Sequence, residues 1–397
     1  MSPLLACLLG SPDELHESLA LASDLPLLAL RHGVVTLLYQ QLRQHDLLSR
    51  LPDDQRAQLK SLHLMAMERR LRRLDAAAEL SQALAQAHFT RYLPLKGWAV
   101  LASGGSSPLL REMIDLDLLV SPADAQEVYD LLQQAGCRVA DMPWIPTPWE
   151  YHLPRLELRS VPIELHWRLW PHSPLQPFAL PDFEALHSRA IAGRLEGQTF
   201  MVPSVEDQFL IQAAGLAEDG FTTCLRGWAD LYWLLQLLPP DGGQLWNLAV
   251  AARMHGYALV MLSLLHELLQ CDLPVQSHLP AELHPIRNAL GEIAWRRLWM
   301  ADTKRASTWM LTGIYRLRHR RRWYASSWGK ELPEWLQSEV RGGPAGWAVL
   351  HAGGAVAAGL KVAARLGRLA VVPSERRAVR EDLRLVHLLH GLANKVG

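Results

Sequence analysis

Residues 113–120 read Met-Ile-Asp-Leu-Asp-Leu-Leu-Val, an apolar strand pattern interrupted by two aspartates. Alternate residues of a strand share one face, so Asp115 and Asp117 project together while Leu116 and Leu118 face a core. Two adjacent carboxylates repel each other and cost stability unless something cationic stands between them. A divalent cation does this, and hard oxygen donors suit Mg²⁺ or Mn²⁺. The bland alternative is an acidic pair facing water at a sheet edge.

A second acidic strand lies downstream. In Pro162–Trp170, Ile163, Leu165, Trp167 and Leu169 alternate with Glu164, His166, Arg168 and Trp170. Were the two strands neighbours, Glu164 would complete a three-carboxylate cluster, with His166 on the same face; otherwise Glu164 pairs with Arg111 or Arg168. Other short elements surround them. Tyr92–Leu95 is strand-like and is broken at Lys96-Gly97. A short helix is expected over Trp98–Ser103, and Gly104–Pro108 forms a loop. Ser121 is placed to cap a helix with Pro122 in its first turn, and Gly136 to end it. Cys137–Ala140 and Arg155–Arg159 read as further strands, the latter turning at Ser160.

Both flanks follow a helical grammar. Pro26–Leu42 and Glu68–His88 carry apolar residues at helical spacing, the second with Leu71, Leu74, Leu80 and Leu84 on one side. Pro203-Ser204-Val205-Glu206-Asp207 resembles a capped start. Asp207–Ala217, Leu225–Leu238 and Leu245–Gln270 read as bundle helices, and the chain from about 280 is mainly helical, with a looser stretch at 325–346. The expected organisation is a helical unit over 1–90, an α/β unit over 91–200 and a helical region over 201–397.

Lys plus Arg and Asp plus Glu each number 40 in the 397 residues, so no global field draws in nucleic acid or acidic lipid. Nucleic acid is therefore a possible partner but not a favoured one. The four cysteines, at 7, 137, 224 and 271, have neither zinc-ligand nor redox spacing, which fits a reducing cytoplasm. The opening MSPLLACLLGSPDELHE lacks a basic n-region and reads as mature protein. The apolar segment 346–372 holds His351, Lys361, Arg365 and Arg368 and is a poor membrane span.

Three blocks, LPLKGWAV, LLREMIDLDLLV and PIELHWRL, occur in order. Together they resemble the bacterial uncharacterised nucleotidyltransferases of the DNA polymerase β-like superfamily. RHGVVTLLYQQL, PSVEDQFLIQAAG and LRGWADLYWLL are similar on the flanks. The resemblance covers about residues 25–270. It implies an α+β fold: a minimal polymerase β-like palm, with a small mixed sheet, flanked by N-terminal helices and a C-terminal helical region. It places Asp115, Asp117 and Glu164 on the metal-binding catalytic carboxylates. Lys96-Gly97 takes the place of the superfamily's Gly-Ser phosphate turn, and Arg111 is set either to meet phosphate or to brace the carboxylates. His166 is a further candidate contact to ligand. Lys-Gly departs from the superfamily's Gly-Ser, and Gly105-Ser106 is the alternative phosphate turn. The histidine that many members carry on the following helix is missing from residues 208–219.

The implied activity is transfer of NMP from an NTP to an unidentified acceptor hydroxyl of a small molecule, sugar, peptide or natural product, with Mg²⁺ or Mn²⁺ and release of pyrophosphate. An NMP-transferring toxin or regulator acting on tRNA or protein is one alternative; the basic run Arg316–Arg322 would serve it. A silent binding scaffold is the other. Arg226 and Asp230, four apart on a helix, read as an internal ion pair or a nucleotide contact.

Overall fold

The computed structural model describes residues 24–104, 111–140, 151–170, 178–218, 221, 225–269 and 280–299, with some positions between 384 and 392. Gly105-Ser106, the basic run at 316–322, and the segments 325–346 and 346–372 lie outside the described residues.

The first helical stretch is two helices, α1 (Leu25–His32) and α2 (Val35–Gln44). Gly33 separates them with φ 62, a left-handed conformation open to glycine without steric cost. The helix expected from Glu68 starts much earlier: α3 runs Asp53–Gln86, with Asp53 and Asp54 in its first turn, where carboxylates complement the helix dipole. Leu74, Leu80 and Leu84 are buried, whereas Leu71 is exposed, contrary to its expected place on the inner face.

The α/β region follows as β1 (Tyr92–Pro94), α4 (Lys96–Ala102), β2 (Leu116–Val120), α5 (Ala125–Gln134), β3 (Arg138–Val139), β4 (Leu156–Leu158) and β5 (Val161–His166). The sheet order is β1-β2-β5-β4-β3, with β2 and β5 parallel and the other pairs antiparallel. The β4–β5 hairpin turns through Arg159 and Ser160, both at positive φ, as the tightest hairpin loops require. Ser121 accepts a hydrogen bond from the Asp124 amide as its capping role demands, although regular helix begins only at Ala125. Gly136, at φ 99, closes α5: the amides of Gly136 and Cys137 return to the carbonyls of Gln133 and Leu132. Strand β2 is shorter than the Met113–Val120 expected. Ahead of Leu116 the backbone is held by side chains instead of a neighbouring strand: Arg73 Nε donates to the Ile114 carbonyl and Arg111 Nη1 to that of Glu112.

Next come α6 (Phe183–Ser188), capped by the Asp182 carboxylate, and the hairpin β6 (Ile191–Leu195)–β7 (Gln198–Val202), elements outside the expected set. Helix α7 (Val205–Glu218) starts at Ser204, whose hydroxyl accepts from the Asp207 amide. It is followed by α8 (Leu225–Leu237), α9 (Gly242–Ala251), α10 (His255–Leu269) and α11 (His284–Trp299). The single helix expected over 245–270 is broken, because Arg253 turns left-handed (φ 54) and the Met254 amide bonds back to the Ala249 carbonyl. That motif normally shows itself as a glycine, and here it does not.

One face of the sheet, with Leu116, Leu118, Val120, Ile163 and Leu165, packs on the second half of α3 and on α5. A second core joins α1, α2 and Leu59 of α3 to α7, α8 and α10. The opposite face of the sheet carries Leu119 into a smaller cluster with Leu93, Leu95, Phe183 and Ile211. The polar side chains of β2 and β5 lie on that opposite face.

Candidate active site

Parallel pairing of β2 with β5 sets Asp117 opposite Glu164 and Leu119 opposite His166. Side chains of directly paired residues emerge on the same side of a sheet. Asp117, Glu164 and His166 consequently converge, each offering a ligand atom within 4.8 Å of the others. Asp117 is 2% exposed, His166 is fully buried and Glu164 is partly open. Asp115 stands one residue ahead of the strand, half-buried on the same side.

Asp117 is the most heavily bonded member. Its Oδ1 accepts from Lys96 Nζ at 2.7 Å and lies 2.8 Å from His166 Nε2. Its carbonyl accepts the Leu95 amide at 3.0 Å. Burial acts to raise the Asp117 carboxyl, but Lys96 and the His166 hydrogen bond overcome it and hold the group below the usual carboxylate range. Asp115 moves the other way: burial, and then the charge of Asp117, push it up against Lys96 and Arg226. Burial lowers the His166 imidazole. The ring is thus neutral, and its Nε2–H donates to the Asp117 carboxylate. Its buried Nδ1 has no hydrogen-bond partner among the described residues.

Lys96 reaches Asp117 from a left-handed backbone (φ 48), a conformation that is uncommon and strained for a side chain of this size. Burial would lower its ammonium, but Asp117, Asp115 and Glu164 together raise it above its ordinary value. The ammonium also lies 5.5 Å from the centre of the Trp170 ring. Tyr151 continues this aromatic wall, 6.4 Å from Trp170 and 5.3 Å from His166 between ring centres.

Arg111 and Gly97 pack against each other. Arg111 is buried, and its Nε and Nη2 donate to the two carboxylate oxygens of Asp230 at 2.7 Å each. Its guanidinium lies against Gly97, where a Cβ would come within 1.9 Å of Nη1. Arg111 therefore braces the turn beside Lys96 and bonds neither Asp115 nor Asp117. Asp230 pairs with Arg111 and not with Arg226, its expected helical partner. The sequence marks Asp230 only as a partner of Arg226 or a nucleotide contact, because the partner it takes lies 119 positions away. Glu112, next to Arg111, accepts from the amide and hydroxyl of Thr36, which ties α2 to the same segment.

The donor set fits a hard divalent cation. Asp117 retains its second carboxylate oxygen and Glu164 is partly open beside it; Asp115 is raised first by burial and then by the charge of Asp117, which a cation would offset.

A small mixed sheet presenting acidic residues from two parallel neighbours, within a helical surround, defines a nucleotidyltransferase fold. A family model described as uncharacterised nucleotidyltransferase matches residues 22–270, and the chain belongs to that family. No curated protein and no solved structure matches the chain. Family membership supports group transfer from a nucleotide. No described helix is long and apolar enough to cross a membrane.

Proposed function

We propose that the protein transfers NMP from an NTP to an acceptor hydroxyl in a reaction dependent on Mg²⁺ or Mn²⁺, with release of pyrophosphate. The observation that carries this reading is the juxtaposition of Asp117 and Glu164, with His166, on paired parallel strands. Asp115, Asp117 and Glu164 would hold the metal. Bound there, a divalent cation supplies charge neutralisation for the phosphates and orients them for in-line displacement.

The chain's own residues do the rest. Lys96 and His166 fix one oxygen of Asp117, leaving the other directed to ligand. Glu164, the more open carboxylate, is placed to take the proton of the acceptor hydroxyl. Arg111 and Asp230 keep the Lys96-Gly97 turn in place without touching the reacting atoms. Trp170 and Tyr151 wall the site on the Lys96 side. Positioning and electrostatics supply most of the rate in phosphoryl transfer of this kind.

Calorimetric titration of each NTP with Mn²⁺ into the wild type and into Asp115→Asn/Asp117→Asn tests the proposal. Metal-dependent binding that disappears in the variant is the expected result and names the base. A folded wild type that binds neither Mn²⁺ nor any NTP would sink it.

A further inference from the structure

Both cations expected to meet phosphate are committed elsewhere: Lys96 to Asp117 and Arg111 to Asp230. A triphosphate brings about four negative charges to a site that already holds three carboxylates, so further positive charge is needed. Two helices supply it on the Asp115 side. Arg73 of α3 donates from Nε to the carbonyl of Ile114, the residue before Asp115, at 2.9 Å, and from Nη1 to Arg69 at 2.8 Å. Arg226 lies in the first turn of α8, one turn ahead of Asp230, whose carboxylate holds Arg111 four residues before Asp115. Neither Arg73 nor Arg226 has a carboxylate at ion-pair distance among the described residues, and both are half-exposed.

We infer that Arg73 and Arg226 form the polyphosphate-binding edge of the site, taking the part of the nucleotide that leaves as pyrophosphate. This rests on the nucleotidyltransferase reading above. The charges around Arg73 agree with it. After burial, the like charge of Arg69 bears on its guanidinium, Asp115 opposes, and Arg226 adds further repulsion. Of the nearby carboxylates, Glu112 is engaged by Thr36. A guanidinium with like charge around it is stabilised by an oxyanion, which it can bind in two-pronged fashion.

The test is titration of the full-length protein with inorganic tripolyphosphate, with and without metal, alongside separate titrations with Mn²⁺ and with NTP. Wild type should bind tripolyphosphate. Arg73→Gln and Arg226→Gln should each weaken that binding at least tenfold, and Arg226→Lys should restore part of it. Mn²⁺ binding should hold or tighten in Arg226→Gln, because a charge opposing the cation has been removed. Loss of anion with retention of cation is a pattern that general damage to the fold does not produce. The inference is overturned if the glutamine variants hold tripolyphosphate as wild type does, or if both lose Mn²⁺ and tripolyphosphate together. NTP and Mn²⁺ uptake unchanged in the variants would overturn the inference while leaving the nucleotidyltransferase reading intact. Wild type that takes tripolyphosphate without metal but no NTP and no Mn²⁺ would overturn the nucleotidyltransferase reading, and with it the assignment of this edge to the leaving pyrophosphate.

Discussion

Lys96 Nζ meets Asp117 Oδ1 at 2.7 Å, and the amide just before Lys96 bonds the Asp117 carbonyl. One residue of β2 is thereby gripped through both its backbone and its side chain by the turn after β1. The grip holds Lys96 in its left-handed conformation and gives a buried carboxylate its counter-charge.

Lys96→Met should leave Asp117 with only the neutral His166 as partner. Breaking a buried pair costs about 3–5 kcal/mol, and the partial exposure of Lys96 moves the expected loss toward about 2 kcal/mol at neutral pH. The sign with pH follows from Asp117. A carboxyl held below its ordinary value stabilises the fold above about pH 4 and loses that contribution on acidification through its folded value. In Lys96→Met most of that contribution is gone, so the loss of stability below about pH 4 should flatten relative to wild type, which urea melts from about pH 7 down to about pH 2.5 would show.

The Arg111–Asp230 pair should behave as a buried brace. Asp230→Ala or Arg111→Ala strands a buried charge and should destabilise by about 3–5 kcal/mol. The double substitution Arg111→Met/Asp230→Leu should cost clearly less than the sum, since no charge is left unpaired. A double-mutant cycle in urea measures the coupling; additivity would show that the pair carries no such role.

Gly97→Ala introduces a methyl group into the space held by the Arg111 guanidinium, 1.9 Å from Nη1. An overpacked site of this kind costs about 2 kcal/mol. Because the displaced group is Arg111, the loss should shrink markedly in an Arg111→Met background. Equal losses in both backgrounds would contradict the contact.

His32 gives a separate pH signature. Burial, and secondarily Arg31, lower its imidazole to about 4, so the folded protein keeps it neutral where the unfolded chain would protonate it. The unfolded state binds the extra proton between about pH 6.5 and 4, so stability is full above that window and falls as pH drops through it. The loss is on the order of 3 kcal/mol at most. His32→Gln should flatten the curve over this range, as followed by thermal unfolding at pH 7, 6, 5 and 4.5.

Features of local chemistry were readable directly. The shared face of Glu164 and His166, the Ser204 cap and the Gly136 terminus follow from period-two alternation and turn residues within a few positions. Features set by distant partners were not. Nothing near Arg111 announces Asp230, and nothing near Lys96 shows that its charge is taken by Asp117. The break at Arg253 hid because a non-glycine residue adopts the left-handed turn. The β6–β7 hairpin did leave a signal, a Glu196-Gly197 turn between alternating residues. Leu71 shows the limit of periodicity on α3, whose buried stripe passes from one core to the other along its length.

That passage has a mechanical meaning. Helix α3 spans 34 residues, about 50 Å, with Leu59 in the helical core and Leu74–Leu84 beneath the sheet. It acts as a beam built into two walls. Heat that loosens either wall also frees one end of the beam and unseats the other, so the two cores should melt in a single calorimetric transition. The same beam sets a fixed span beneath the sheet whose opposite face carries Asp117 and Glu164.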